Sequence, residues 1–190
     1  AVGGYIFYNT NVLNEYLPAE VLRDRQAHYE KTYRRLKDVP QPELVAVRTE
    51  VDIYPEQRRL VARGHHSFVN SRGVPIQELH MFVSPRVQLK RVAIAGATLA
   101  REDGSVGYRL YRLGAPLEPN ASLELDYELE RAERGFTNQG MPPQDHALMP
   151  SPLNDNGTFF DSVDMFPHFG YNEGRQLIDR DERRKRGLGD

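Results

Sequence analysis

Between Glu43 and Phe82 the sequence alternates with a period that leaves little choice of backbone. In ELVAVRTEVDIYP the residues Val45, Val47, Thr49, Val51 and Ile53 occupy every second position, the spacing by which a strand shows one face to a core. A helix would scatter them around its circumference. Pro55-Glu56-Gln57-Arg58 interrupts the pattern. RRLVARGHHSFVN then resumes it, with Val61, Arg63, His65, Ser67 and Val69 on one side and Leu60, Ala62, Gly64, His66 and Phe68 on the other. Two strands joined by a short polar connection predict an antiparallel hairpin. Ser71-Arg72-Gly73 predicts a second turn, and Ile76, Leu79, Met81 and Phe82 give apolar weight to a third strand.

The pattern continues downstream. Val87, Leu89, Val92 and Ile94 mark a strand with a slip in its alternation, as a bulge produces. Thr98–Arg101 is expected to pair with Tyr108–Leu113 across a turn containing Asp103-Gly104, and Leu117-Glu118-Pro119-Asn120 makes another turn. ASLELDYELE is the clearest strand, with Leu123, Leu125, Tyr127 and Leu129 on one face and Glu124, Asp126, Glu128 and Glu130 on the other. Strands following one another with only turns between them argue for a mainly β chain, an antiparallel sandwich or saddle-shaped sheet.

The flanks are helical. Pro18 suits a first helical turn, and Val21, Leu22, Tyr29, Tyr33 and Leu36 recur as one face of a helix that Lys37-Asp38-Val39-Pro40-Gln41-Pro42 ends. The tyrosine stripe reads as packing surface. From Gly135 a stretch rich in Pro, Asn and Gly has no periodicity, and after it Ile178–Gly187 predicts a short helix with acids first and bases later. The organisation expected is an N-terminal segment and helix over 1–42, an antiparallel β domain over 43–136, and an irregular segment with a C-terminal helix over 137–190.

Composition narrows function mainly by exclusion. A net charge of -2 gives no global attraction to nucleic acid, and the one basic cluster, Arg180 to Arg186, is interleaved with Asp181 and Glu182. Without cysteine there is no disulfide, thiolate metal site or cysteine nucleophile. No apolar run approaches the ~18 residues of a membrane span. The opening AVGGYIFYN is unlike a signal peptide, and the chain reads as a piece of something longer. Tyr5, Ile6, Phe7 and Tyr8 have the aromatic character of a segment leaving a bilayer, or else cover part of the domain's own core.

The histidines are His28, His65, His66, His80, His146 and His168. His65 and His66 are adjacent on a strand and point to opposite faces, whereas His66 and His80 are expected to face each other across a hairpin. A third ligand for a metal is not evident, and no His is followed by Glu, so H-E-x-x-H is absent. No G-x-S-x-G elbow or phosphate-cradling glycine loop is present. Asp161 and Asp164 are the kind of carboxylates polar loops contain, and Asn120 and Asn156 begin glycosylation-type triplets.

The run EVDIYPEQRRLVARGHHSFVNSRGVPIQELHMFV, the acidic strand LELDYELERAERGF and the Phe166-Pro167 element together resemble the N-terminal saddle-shaped β domain of the aminopeptidase N family of zinc peptidases. Tyr127 and Gly135-Phe136 would correspond to a strand ending in an aromatic and a Gly-Phe element that closes the sheet. YIFYNTNVLNEYL and NGTFFDSVDMFPHFGY resemble most closely the bacterial members fused to an ABC transporter permease, in which the saddle follows the last membrane span. The resemblance implies a noncatalytic domain that shapes a substrate cleft and docks a catalytic domain of the same parent chain. Zinc would belong to that catalytic domain and no cofactor to this chain. It further implies peptide as substrate of the parent, membrane attachment through flanking spans, and a place on the periplasmic face of a bacterial inner membrane. The segment lent to the cleft corresponds to Asn154–Asp161, where Asn156, Thr158 and Asp161 are the candidates to meet the peptide's amine. A different class of reading is an extracytoplasmic β-sandwich binding module of a transporter-associated protein.

Overall fold

The computed structural model describes residues 2–14, 18–136, 153–154, 157–158 and 165–189. Seven strands follow one another: β1 (Glu43–Tyr54), β2 (Arg59–Val69), β3 (Ile76–Phe82), β4 (Gln88–Ile94), β5 (Ala97–Asp103), β6 (Tyr108–Leu117) and β7 (Ser122–Ala132). Among the described residues three two-residue strands come later, β8 (Leu153–Asn154), β9 (Gly157–Thr158) and β10 (His168–Phe169). The α-helices among the described residues are α1 (Val2–Phe7), which continues as a π-helical turn over Tyr8–Val12, α2 (Ala19–Tyr33) and α3 (Arg180–Lys185).

The strands form two antiparallel sheets, the first in the order β1-β2-β7-β4 and the second β10-β3-β6-β5, while β8 and β9 pair with each other. Leu60, Ala62 and Phe68 of β2 and Leu123, Leu125 and Leu129 of β7 meet Leu79, Met81 and Leu113 of the second sheet, and all of these are buried. The other face of the second sheet is buried too. Phe82, Tyr108 and Leu110 there meet Tyr29, Tyr33 and Leu36 from α2 and the turn after it. The molecule is thus layered as sheet, sheet and helix, and only the first sheet keeps a polar outer face. Val21, expected on the buried stripe of α2, is exposed, whereas Gln26, Ala27 and Glu30 are buried.

The hairpin of β1 and β2 forms as expected, and its register sets Thr49 opposite Gly64 and Val51 opposite Ala62. Arg58 closes it in the left-handed region, with φ 45°. The slip in β4 is a bulge between Leu89 and Arg91, and β5 pairs with β6 as expected. On β7 the four apolar residues face inward and Glu124, Asp126, Glu128 and Glu130 face out.

Three expectations are corrected. β3 does not extend the β1–β2 hairpin but crosses to the second sheet, so His66 and His80 lie on strands that do not pair. The corner is held by Asn70, fully buried, whose side-chain amide donates to the carbonyls of Val74 and Leu117, each at 2.8 Å. β1 shows its apolar row to the core only in part: Val51 packs against it, whereas Val47 is 56% exposed and Ile53 43%. Tyr127 stands in the middle of β7, and Gly135-Phe136 follows that strand without joining a sheet.

The N-terminal aromatics do not cover the core either. Tyr5, Ile6, Phe7 and Tyr8 are all exposed, and Tyr5 meets only the edge of the Phe136 ring among the aromatic contacts of the described residues. Gly135, with φ 67°, lets the chain pass so close to Asn9 that a Cβ would strike the Asn9 carbonyl. The Phe136 amide donates to that carbonyl at 3.0 Å, and the Asn14 side chain donates to the Phe136 carbonyl at 2.8 Å.

Candidate functional site

The segment expected to contribute to a cleft returns to the sandwich through short pairings. Leu153 of β8 lies opposite Thr158 of β9, and Leu153 is buried in the core between the sheets. β8 packs beside the Pro55–Gln57 turn that joins β1 to β2. Met165, fully buried, then enters the same core, and β10 pairs with β3 so that His168 lies opposite Phe82 and Phe169 opposite Met81. Phe169 also packs against Phe68 of β2, bridging the two sheets. Of the three cleft candidates, Thr158 is half-buried on β9, while Asn156 and Asp161 lie outside the described residues, as does His146.

Phe166 reaches the inner face of the first sheet, near the rings of Tyr127 at 6.0 Å and His66 at 6.4 Å. Beneath it lies a polar cluster that the sequence reading did not single out. The Tyr127 hydroxyl stands 3.0 Å from Nε2 of His66 and 3.1 Å from the Thr49 hydroxyl. Gly64 makes this possible, because a Cβ there would fall inside the Tyr127 ring. The alternation around Gly64 was legible, but its use as the place where a ring crosses the strand was not.

Burial sets the electrostatics of this layer. Desolvation lowers the pKa of His66, with a smaller effect from neighbouring His65, and it raises that of the Tyr127 phenol. Nδ1 of His66 is buried without a hydrogen-bond partner. The His66 imidazole and the Tyr127 phenol form a positioned hydrogen-bond pair, with the Thr49 hydroxyl beside both. His80 is likewise pushed down by burial, and its Nδ1 meets the Tyr108 hydroxyl at 2.9 Å. His168 is lowered to about 4, chiefly by burial and then by Arg175.

The outer face carries the opposite kind of histidine. His65 lies 2.8 Å from Asp126 and 3.1 Å from Glu124, and its pKa is raised, first by the hydrogen bond to Asp126. Around it Arg48, Glu50, Arg63, Arg91 and Glu128 line an open depression of about 400 Å³. Among the described residues no three His, Cys, Asp or Glu side chains converge as metal ligands would. No described helix is long and apolar enough to cross a membrane.

No protein-family model matches the chain, and no curated protein matches it. Solved structures do match. An M1 zinc metallopeptidase from Deinococcus radiodurans superposes with a TM-score of 0.44 at 12% identity, over 62% of this chain and 25% of that one. A mutant M1 enzyme from the same organism, bound to a Tyr-Ser-Ala substrate, gives 0.41 at 13% identity over 62% and 25%. A two-domain M1 zinc metallopeptidase mutant bound to L-tryptophan gives 0.40 at 10% identity over 54% and 22%. The chain thus spans about a quarter or less of the length of the structures it matches.

Proposed function

We propose that this chain is the noncatalytic N-terminal domain of an aminopeptidase-like zinc metallopeptidase, shaping the substrate cleft and docking a catalytic domain of the same parent. The observation that carries the reading is the partly uncovered inner row of β1, in which Val51 packs against the core and its neighbours do not. Val47 and Ile53 continue the apolar face formed by Leu60, Ala62 and Phe68, yet they remain exposed beside the turn against which β8 packs. A second domain seated there would bury that row and stand next to the β8–β9 pair and Thr158. The resemblance of the strand pattern and the Phe166-Pro167 element to the aminopeptidase N family supports the same reading. The zinc and the acid–base chemistry belong in this reading to the catalytic domain, where the resemblance to the aminopeptidase N family puts them. Asn156, Thr158 and Asp161 are the cleft candidates. Attachment to a bacterial inner membrane through flanking spans, with the domain on the periplasmic side and a permease in the parent, is the finer form of the proposal. The exposed Tyr5, Ile6, Phe7 and Tyr8 support it.

The test is the parent protein. Its full length is expected to contain H-E-x-x-H beyond this segment and to hydrolyse peptides only with zinc bound. Hydrogen exchange at β1, compared in the parent and the isolated chain, is expected to be slower in the parent, beyond the protection that pairing with β2 gives both. A parent without the motif, or equal exchange at β1 in both, overturns the reading.

A further inference from the structure

The free edge of β1 has a second property, independent of the row that faces inward. β1 ends its sheet, and among the described residues no segment adds backbone hydrogen bonds to its outer side. A long unpaired edge is a template for another strand. Its side chains decide which one. Arg48 and Glu50 stand on the outward face with 79% and 68% of their side chains exposed, and Val47, Thr49 and Val51 alternate with them on the inner face.

We propose that this edge pairs with the β1 edge of a second copy, antiparallel, about a two-fold axis at Thr49, joining two four-stranded sheets into one. In that register Arg48 of each copy faces Glu50 of the other, Val47 faces Val51, and Thr49 faces its own equivalent. Opposite charges and β-branched residues directly across an antiparallel pair are the favourable combinations. Of the neighbouring registers that keep the faces matched, the one centred on Arg48 sets Arg48 opposite Arg48, and the one centred on Glu50 pairs Arg48 with Asp52 but sets Glu50 opposite Glu50, so the register centred on Thr49 is the one of the three with no like charges across the pair. The bulge between Leu44 and Ala46 lies beyond the paired stretch and marks its end. An isologous contact of this kind closes after two copies.

Sedimentation equilibrium of the 190-residue chain tests it. The expected result is a monomer–dimer equilibrium that Arg48→Glu or Glu50→Arg alone weakens by about tenfold, because each reversal puts like charges across the axis twice. An equimolar mixture of the two variants is expected to recover dimerisation as a heterodimer, which a folding defect would not allow. Since the chain has no cysteine, Thr49→Cys adds a direct readout, a disulfide-linked dimer on mild oxidation. A chain that stays monomeric, a dimer indifferent to both reversals, or association that runs on past two copies overturns the proposal. None of these outcomes bears on whether the parent is a zinc peptidase.

Discussion

Gly64 and His168 show how much a single position carries. At Gly64 the missing side chain lets the Tyr127 ring cross β2, and the ring is buried with its hydroxyl committed to Thr49 and His66. Gly64→Ala must push the ring aside and break both contacts, so urea denaturation is expected to show a loss of about 2 kcal/mol. His168 acts through its proton. Its ring nitrogens are buried without hydrogen-bond partners from other side chains, and its pKa falls from 6.5 to about 4. The unfolded chain takes up a proton below pH 6.5 that the folded chain refuses until about pH 4. This stability is therefore complete above that window and is lost as pH falls through it, by roughly 3 kcal/mol at the acid end. His66 and His80 shift in the same direction and add to the slope. His168→Phe, which keeps a ring against Phe82, is expected to flatten the fall in urea midpoint between neutral pH and the acid end of the window.

Elements are joined by a few specific ties, and the strongest of them links α2 to α3. Arg183 donates to both carboxylate oxygens of Glu30, at 2.8 and 2.9 Å, with the Glu30 side chain 1% exposed and that of Arg183 10%. The same guanidinium donates to the Leu177 and Gly189 carbonyls, and Asp179 caps α3 through the amides of Asp181 and Glu182. Glu30→Ala leaves a buried charge uncompensated and is expected to cost about 3–5 kcal/mol in thermal or chemical unfolding. The double change Glu30→Met with Arg183→Met should cost clearly less. Of these elements the sequence showed β2, β7, the β5–β6 pairing and the bulge of β4, because alternation and turn chemistry are local. It did not show that β3 leaves for the second sheet, since that corner depends on Asn70 bonding to Leu117, far along the chain. Alternation in β1 likewise marks two faces without saying what covers them. The same limit applies to Thr158, whose opposite number, Leu153, is fixed by burial between sheets built from other strands.

At the scale of the whole molecule, the second sheet packs on both faces, against the first sheet and against α2, whereas the first leaves its outer face and the β1 edge open. Both proposals follow from that asymmetry: the inner row of β1 calls for a covering domain, and its backbone edge for a strand. The attachment of the first residues adds a mechanical consequence. Asn9 and Asn14 grip Phe136, and Arg58 holds the Gly135 carbonyl at 2.9 Å, so the opening segment is fastened where β7 ends and the β1–β2 turn begins. These ties couple the opening segment to the end of β7 and to the β1–β2 turn by noncovalent contacts as well as through the chain that leads to α2.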